Sequence, residues 1–489
     1  MVIGSGFGGL AAAIRLGARG YRVTVLERLA QPGGRARVFR QDGFTFDAGP
    51  TIVTAPFLFE ELWTLCGRQM EDDVRLRALD PFYRLVFDDG SSLDCSGEDA
   101  VMRARVAALA PGEVGGYEAF LKAAEAIYKV GFERLADVPF NTLADMLRAL
   151  PAMAALRADR SVHALARHHV RDERLRTALS FHPLFIGGNP FAVTAIYALV
   201  IHLERKFGVH FAHGGTGALV QGLVRLLEGQ GARLRFGAEV VEITVADGAA
   251  TGVRLADGER IGADIVVSNA DAAFTYGTLL RSQPRRRWSD RKLARARYSM
   301  SAVVWHFGTR RRYDEVPHHT ILFGPRYRGL IDDIFERKVL SDDFSLYLHR
   351  PTATDPALAP SGCDTFYALV PVPNLEGDVD WLSAAEPLRE RIRQRLEAKL
   401  LPRLGETIVT SRLTTPIDFR DDLLSVHGAA FGLEPRLLQS AWFRPHNRSE
   451  EIARLYLVGA GTHPGAGLPG VLSSAKILDT VVPHATELV

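Results

Sequence analysis

The sequence predicts an α/β fold of interleaved domains, and three observations predict it. A strand, a glycine-rich turn, a helix and a second strand follow one another by residue 27. A late strand, a glycine-proline loop and a final helix close the chain. Between these ends, helical and strand patterning alternates without a linker, internal repeat or low-complexity tract. A length of 489 residues suits about three domain-sized units or one large interleaved fold. With 47% hydrophobic and 24% charged residues, the chain can bury a sizeable core.

Taken in order, the elements are a strand at Val2 and Ile3, a turn from Gly4 to Gly9, a helix from Leu10 to Arg19, and a strand from Tyr21 to Leu26. Only Met1 to Ile3 precede Gly4, fewer than the usual five or six residues of a strand, which predicts a shortened first strand and a truncated or misassigned start. Alternating apolar positions over 75–95, with Asp89-Gly90, predict a hairpin. From about 97 to 180 the pattern is helical, broken at Pro111-Gly112, Pro139 and Pro151. The stretch Leu147 to Arg176, rich in Ala, Leu and Arg, reads as a solvated amphipathic helix pair, and its basic face also suits anionic lipid. A second glycine loop, Gly214 to Gly217, opens a helix from about Ala218 to Gln230. Strands follow at Arg233–Phe236, Glu239–Val245, Thr251–Leu255 and Ile265–Ser268, then a mixed region with a helix near 384–399, a strand at Leu455–Val458 and the last helix.

Gly4-Ser5-Gly6-Phe7-Gly8-Gly9 contains Gly-x-Gly-x-x-Gly directly between a strand and a helix. Gly4 allows the tight turn, Gly6 lets the backbone approach a pyrophosphate, and Gly9 permits close helix–strand contact. The helix N-terminus offers unpaired N–H groups to phosphate. Alone, this motif is weak. Glu27, at the end of the second strand, adds a carboxylate for a ribose hydroxyl pair and disfavours a 2′-phosphate. The unit is therefore of Rossmann type and binds a dinucleotide. The tail carries Gly459, Gly461, Gly467 and Gly470 after its strand, but too few residues remain for a second complete unit. It reads instead as a segment that returns to close the same site, so NAD(P)H is not expected as a second coenzyme. Val240, in the strand beginning at Glu239, completes the set expected to touch the cofactor.

Beyond Glu27 stand Pro32-Gly33-Gly34-Arg35 and Asp47-Ala48-Gly49-Pro50-Thr51. These resemble the amine-oxidase-like FAD superfamily, where such a Gly-Gly-Arg segment lies along the FAD phosphates. The resemblance implies FAD as cofactor, with Gly33, Gly34 and Arg35 beside its phosphates. It narrows to the bacterial-type phytoene desaturase family over nearly the whole chain. The matching segments include Tyr456-Leu-Val-Gly-Ala-Gly-Thr-His-Pro-Gly-Ala-Gly-Leu-Pro-Gly-Val471, Gly187-Gly-Asn-Pro190, Ser268-Asn-Ala-Asp271, His318-His-Thr-Ile-Leu322 and Ala441-Trp-Phe-Arg-Pro-His446.

That resemblance implies an oxidoreductase acting on CH–CH bonds, introducing successive double bonds into phytoene to give lycopene or neurosporene. The expected fold is then a Rossmann-type FAD-binding domain (1–75, 205–290 and 425–489), interleaved with a helical, membrane-contacting region (76–204) and a mixed substrate-domain remainder (291–424). The substrate is a membrane-dissolved carotenoid, which implies peripheral attachment to a membrane surface, a cytoplasmic location, and reoxidation by quinone or oxygen. The apolar run Phe191–Ile201 is too short to span a bilayer and reads either as a buried core helix or as part of that attachment. No general base is evident, because the flavin accepts the hydride and an allylic cation loses its proton easily; His213, beside the second glycine loop, is a weak candidate. Two alternatives remain open: a flavin-dependent carotenoid cis–trans isomerase, whose product would keep the substrate's mass, and a non-enzymatic lipid escort of the same fold.

Other chemistry finds little support. Net charge is +2, so no global field points to nucleic acid. Cys66, Cys95 and Cys363 form no pair with metal or disulfide spacing, and His168-His169 and His318-His319 are adjacent, which does not face two ligands to one metal on a helix; no metal is expected. The arginine clusters at 285–287 and 310–312 read as solvated turns.

Overall fold

The computed structural model describes residues 1–487. Its organising element is a five-stranded parallel sheet in the order Leu455–Leu457, Val266–Ser268, Val2–Ile3, Thr24–Leu26, Arg233–Arg235. Segments from the start, middle and end of the chain thus lie side by side. The first strand has two residues, and the Met1 ammonium extends its pairing by donating to the Ile265 carbonyl at 2.9 Å.

Helix Phe7–Ala18 packs against this sheet through Leu10, the alanines at 11–13 and Ile14, all without exposed surface. It begins three residues before the expected Leu10, inside the glycine motif, because Gly6 serves as its extended N-cap. The run of alanines lets helices Thr216–Gly229 and Leu468–Val481 join it in one core. Arg15 is buried there and bonds Asp479 at 2.7 Å and Glu61 at 3.1 Å, tying the first helix to the last. An antiparallel sheet of Val240–Ala246, Ala249–Leu255 and Arg260–Gly262 flanks the parallel one.

The second sheet has seven strands, in the order Ile408–Thr414, Ser301–Thr309, Asp364–Val372, Leu346–His349, His319–Leu322, Tyr83–Val86, Ser92–Cys95. The hairpin around Asp89-Gly90 therefore joins the later strands through a parallel pairing of Tyr83–Val86 with His319–Leu322. Strand Ser301–Thr309 is buried at every position, so its sequence does not alternate.

After strand Ser92–Cys95 the chain forms helices Asp99–Leu109, Val114–Gly131, Leu143–Ala155, Val162–His169 and Glu173–Ala178. The expected break at Pro151 is not a break: the proline sits inside helix Leu143–Ala155. This helix runs along the surface, where water can take the carbonyl that Pro151 leaves free. Leu147 to Arg176 is likewise not a pair but the end of that helix and two shorter ones. Phe191–Ile201 is not a single core helix: it turns at Asn189 and Thr194 into a short 3₁₀ segment, Ala195–Ala198, before helix Leu199–Phe207. The cluster at 285–287 is less solvated than expected, because Arg285 is buried beside Asp290 and Arg287 stacks on Trp442.

Five buried histidines set an acid limit on this fold. Burial pushes His306 and His463 down to about 4 and His318 to about 3, and holds His319 and His349 well below 6.5. With depressed folded values, the unfolded chain protonates first as pH falls. The stability they contribute is whole above pH 6.5 and is lost progressively below it. The expected result is a urea midpoint that drops steeply between pH 6.5 and 4, each histidine adding up to about 1.4 kcal/mol per pH unit. A midpoint that is flat across this range contradicts their burial.

Candidate functional site: a glycine-lined cleft opening into an apolar cavity

The first loop is built to leave space rather than to fill it. Gly4 donates to the Leu26 carbonyl at 2.8 Å, and Gly33 donates to the Ser5 carbonyl at 3.0 Å, which seats the second glycine segment on the first. A Cβ on Gly6 would stand 2.9 Å from Asn269 Nδ2, and one on Gly8 would stand 2.5 Å from Asn269 Oδ1. Gly459, at φ +98°, approaches the same side chain from the tail, its own Cβ position 2.6 Å from Asn269 Oδ1. Asn269 thus stands where the first loop, the middle strand and the tail converge.

Glu27 directly follows the second strand, Thr24–Leu26. Its Oε2 accepts from the Ser5 N–H at 2.8 Å and the Ser5 hydroxyl at 2.6 Å, and its Oε1 accepts from the Leu29 N–H at 2.9 Å. The carboxylate is held in one orientation on the wall. Helices Phe7–Ala18 and Leu468–Val481 both start without a side-chain cap, from Gly6 and Gly467 respectively. Their first N–H groups are therefore open to an anionic ligand. The helix at Thr216 differs. Asp47 accepts from its Thr216 and Gly217 N–H groups at 3.0 and 3.4 Å, so the protein's own carboxyl, raised by burial to about 6, fills that terminus.

A single cavity of about 560 Å³ connects these parts. Gly4, Gly6, Glu27, Gly33, Gly34, Arg35, Val240, Gly459, Gly467 and Gly470 all line it. Gly9 and Gly461 do not, and their roles are packing. A Cβ on Gly9 would lie 2.0 Å from the Gly4 carbonyl oxygen, and one on Gly461 would lie 2.8 Å from the Ala272 nitrogen. Arg35 donates to the Ala430 carbonyl at 2.8 Å and to the Ser425 hydroxyl at 2.7 Å, which anchors the 425–430 segment over the cradle. Asp271 also lines the cavity, and burial raises its carboxyl despite the opposing charge of Arg35. His213 is not part of the site. It is half-exposed, 3.9 Å from Asp355, on the loop whose helix Asp47 caps.

Away from the glycines the wall becomes apolar. Met146, Ala149 and Met153 contribute from helix Leu143–Ala155, and Ala302, Val304 and Ile321 from the seven-stranded sheet. The residues fit FAD: a cradle that a single methyl group would obstruct, two open helix N-termini, a fixed carboxylate for a ribose, and an apolar chamber beyond.

Sequence reasoning missed Asn269, Asp271 and Glu204 on this wall. In the sequence, Ser268 to Asp271 carries a family resemblance only; its place directly after the strand Val266–Ser268 is the signal that it reaches the site. The adjacency argument at His318-His319 also needs correcting. His319 begins a strand, with His318 just before it, and pairs in register with His349, which brings a ring nitrogen from each of three buried histidines within 4.8 Å of one another. Four of their six ring nitrogens have partners within the chain: His318 and His349 meet through Nε2 at 3.0 Å, His318 Nδ1 lies 2.7 Å from the Thr354 hydroxyl, and His319 Nδ1 lies 2.7 Å from the Tyr347 hydroxyl, while His319 Nε2 and His349 Nδ1 are buried without one.

A family model described as flavin containing amine oxidoreductase matches residues 7–477. The chain is 53% identical to the neurosporene-forming phytoene desaturase of Cereibacter sphaeroides, covering 99% of this chain and 94% of the relative. It is 50% identical to the lycopene-forming enzyme of Pseudescherichia vulneris, covering 97% of each. Among solved structures, putrescine oxidase bound to putrescine aligns with a TM-score of 0.63 at 15% identity, covering 99% of this chain and 98% of that one. Cyclohexylamine oxidase from Brevibacterium oxydans aligns at 0.60 and 15%, covering 98% and 97%. At such identity these two structures establish the fold alone.

Proposed function

The chain belongs to the flavin containing amine oxidoreductase family, among its phytoene desaturases, and from that premise we propose that it introduces successive double bonds into phytoene, forming neurosporene or lycopene. The observation that carries this reading is one cavity, glycine-lined at one end and apolar at the other. FAD, its cofactor, supplies a hydride acceptor when bound. The protein's own part is to bind, align and exclude water. Glu27 offers its carboxylate to the ribose. The N-termini at Phe7 and Leu468 would hold the diphosphate with their N–H groups, Gly33 and Gly34 would let the backbone come close to it, and Arg35 would bring positive charge. The aliphatic and aromatic wall holds a hydrocarbon without polar handles and keeps water from a developing cation. The described residues hold one complete dinucleotide unit, which leaves quinone or oxygen as the expected reoxidant. Incubation of FAD-loaded protein with phytoene in liposomes tests the reading. Products lighter by two hydrogens per step support it, and an isomerised product of unchanged mass overturns it.

Phytoene dissolves in a bilayer, so we place the entry at helix Leu143–Ala155. Met146, Ala149 and Met153 face the cavity, while Leu143, Leu147 and Leu150 form an outward stripe, 52%, 55% and 43% exposed. Arg148 stands exposed on the same helix, and Leu438, also exposed, lies on the neighbouring 437–443 segment. No helix among the described residues is long and apolar enough to cross a membrane, so the contact proposed is peripheral. The double variant Leu147→Asp, Leu150→Asp should weaken partition onto anionic vesicles by about tenfold or more, roughly 1.4 kcal/mol, with FAD content unchanged. Equal partition of variant and wild type in a flotation assay would remove this helix from the interface.

A further inference from the structure

The cavity wall carries five acidic side chains: Glu27, Glu204, Glu239, Asp271 and Asp422. Four already serve the nucleotide end or its rim. Glu27 is bound by Ser5 and Leu29, and Asp271 accepts from the Ala273 N–H at 2.8 Å. Glu239 stands 3.5 Å from Arg28, and Asp422 pairs with Arg37 at 2.6 Å.

Glu204 differs from all four. It projects from helix Leu199–Phe207 into the apolar part of the wall, beside Leu203, Phe181 and Phe185, and is only 4% exposed. No arginine or lysine bonds it. Its Oε1 accepts from the Tyr83 hydroxyl at 2.7 Å, and its Oε2 lies 3.2 Å from His182 Nε2. Burial and the neighbouring Glu204 charge hold the Tyr83 phenol protonated, so Tyr83 acts as donor. Cys95, behind it, is pushed up to about 12 by burial and stays a thiol. His182 Nδ1 is buried without a partner. Its desolvation is offset only by the Tyr83 hydroxyl and the His182 ring, with no arginine or lysine beside it, so the acidic group stands in an apolar wall at a cost to stability.

We propose that Glu204 is the catalytic proton acceptor of the desaturation, oriented by Tyr83 and His182. The proposal rests on the desaturase reading above. In each step one C–H bond of the substrate breaks with its electron pair leaving as the hydride. The adjacent C–H bond gives its electron pair to the new C=C bond and its proton to a Glu204 oxygen. Before that transfer the carboxylate stabilises the allylic cation, which the surrounding hydrocarbon cannot do.

The test uses FAD-loaded protein and two non-reacting probes in neutral vesicles: a phytoene analogue with an ammonium nitrogen at the reacting carbon, and its uncharged isostere. Wild type should bind the ammonium analogue at least tenfold more tightly than the isostere. Glu204→Gln should lose that preference, keep phytoene binding and FAD content, and desaturate roughly 10²–10⁴-fold more slowly. Tyr83→Phe, which keeps the carboxylate, should retain the preference. Equal binding of the two probes by wild type, or a Glu204→Gln protein with wild-type rate and preference, overturns the proposal. If Glu204→Gln loses FAD, the wild-type preference and that of Tyr83→Phe decide it. Failure of the wild type to desaturate phytoene would remove the desaturase reading itself, a result distinct from either probe outcome.

Discussion

Gly9→Ala is expected to yield protein that leaves gel filtration without FAD, its affinity lowered by at least 100-fold, about 2.7 kcal/mol. The reason is steric and cannot be relieved by a rotamer. The new Cβ would sit 2.0 Å from the Gly4 carbonyl oxygen and 3.2 Å from Asn269 Cβ. Both partners in the main clash are backbone, so helix Phe7–Ala18 would have to lift off the loop that shapes the cradle. That movement displaces Gly6 and Gly8, whose own positions leave no room against Asn269. Gly115→Ala provides the control. It lies in helix Val114–Gly131 with nothing within 4 Å of the added methyl, so it should be neutral or stabilise by up to about 1 kcal/mol. Full FAD content in Gly9→Ala would mean that the close approach is not needed.

The second large effect falls far from the cradle, where the seven-stranded sheet roofs the cavity. Asp364 and Arg350 are both essentially inaccessible and meet at 2.9 Å. The same carboxylate accepts from the Tyr313 N–H and the Thr352 hydroxyl, each at 2.7 Å. Arg350 in turn donates to the Val316 carbonyl at 2.8 Å, so one ion pair joins three segments, 313–316, 350–352 and the strand beginning at Asp364. Asp364→Ala leaves the buried guanidinium with only the surface carboxylate of Asp314, at 2.8 Å, strips the Tyr313 N–H and the Thr352 hydroxyl of their acceptor, and should cost about 3–5 kcal/mol, read from the urea midpoint. Glu406→Ala, which breaks a solvent-exposed pair with Arg403, should leave the urea midpoint almost unchanged. Similar losses in the two variants would show that burial does not set the scale.

The parts of the molecule legible in the sequence are those whose cause is local. The glycine spacing at Gly4–Gly9, the carboxylate at Glu27 and the tail glycines follow from backbone requirements that few other residues satisfy. They led to one dinucleotide site, which the resemblance carried by Gly33-Gly34-Arg35 narrowed to FAD, in agreement with the flavin containing family that the chain joins. What escaped has non-local causes. Asn269 matters because a strand from the middle of the chain enters between the two ends; the strand just before it is legible in the sequence, but its place in the sheet is not. Glu204 lies on a short amphipathic helix and acquires meaning only through Tyr83, 121 residues away. The histidine trio depends on the register of His319 with His349. Pro151 misled because a proline's cost in a helix depends on whether the freed carbonyl faces water, which is a tertiary fact. His213 misled in the opposite direction: it adjoins a glycine loop that resembles a ligand site, but whose helix terminus Asp47 already occupies.

The most direct test of the central claim, that one cavity joins the flavin to a polyene precursor, is anaerobic mixing of FAD-loaded protein with phytoene in liposomes. Flavin absorbance and polyene absorbance are followed together in the same cuvette. The account predicts that the flavin bleaches in step with the appearance of longer conjugation, one reduced flavin for each double bond formed. A flavin that stays oxidised while phytoene is bound, or a polyene change without bleaching, would contradict it.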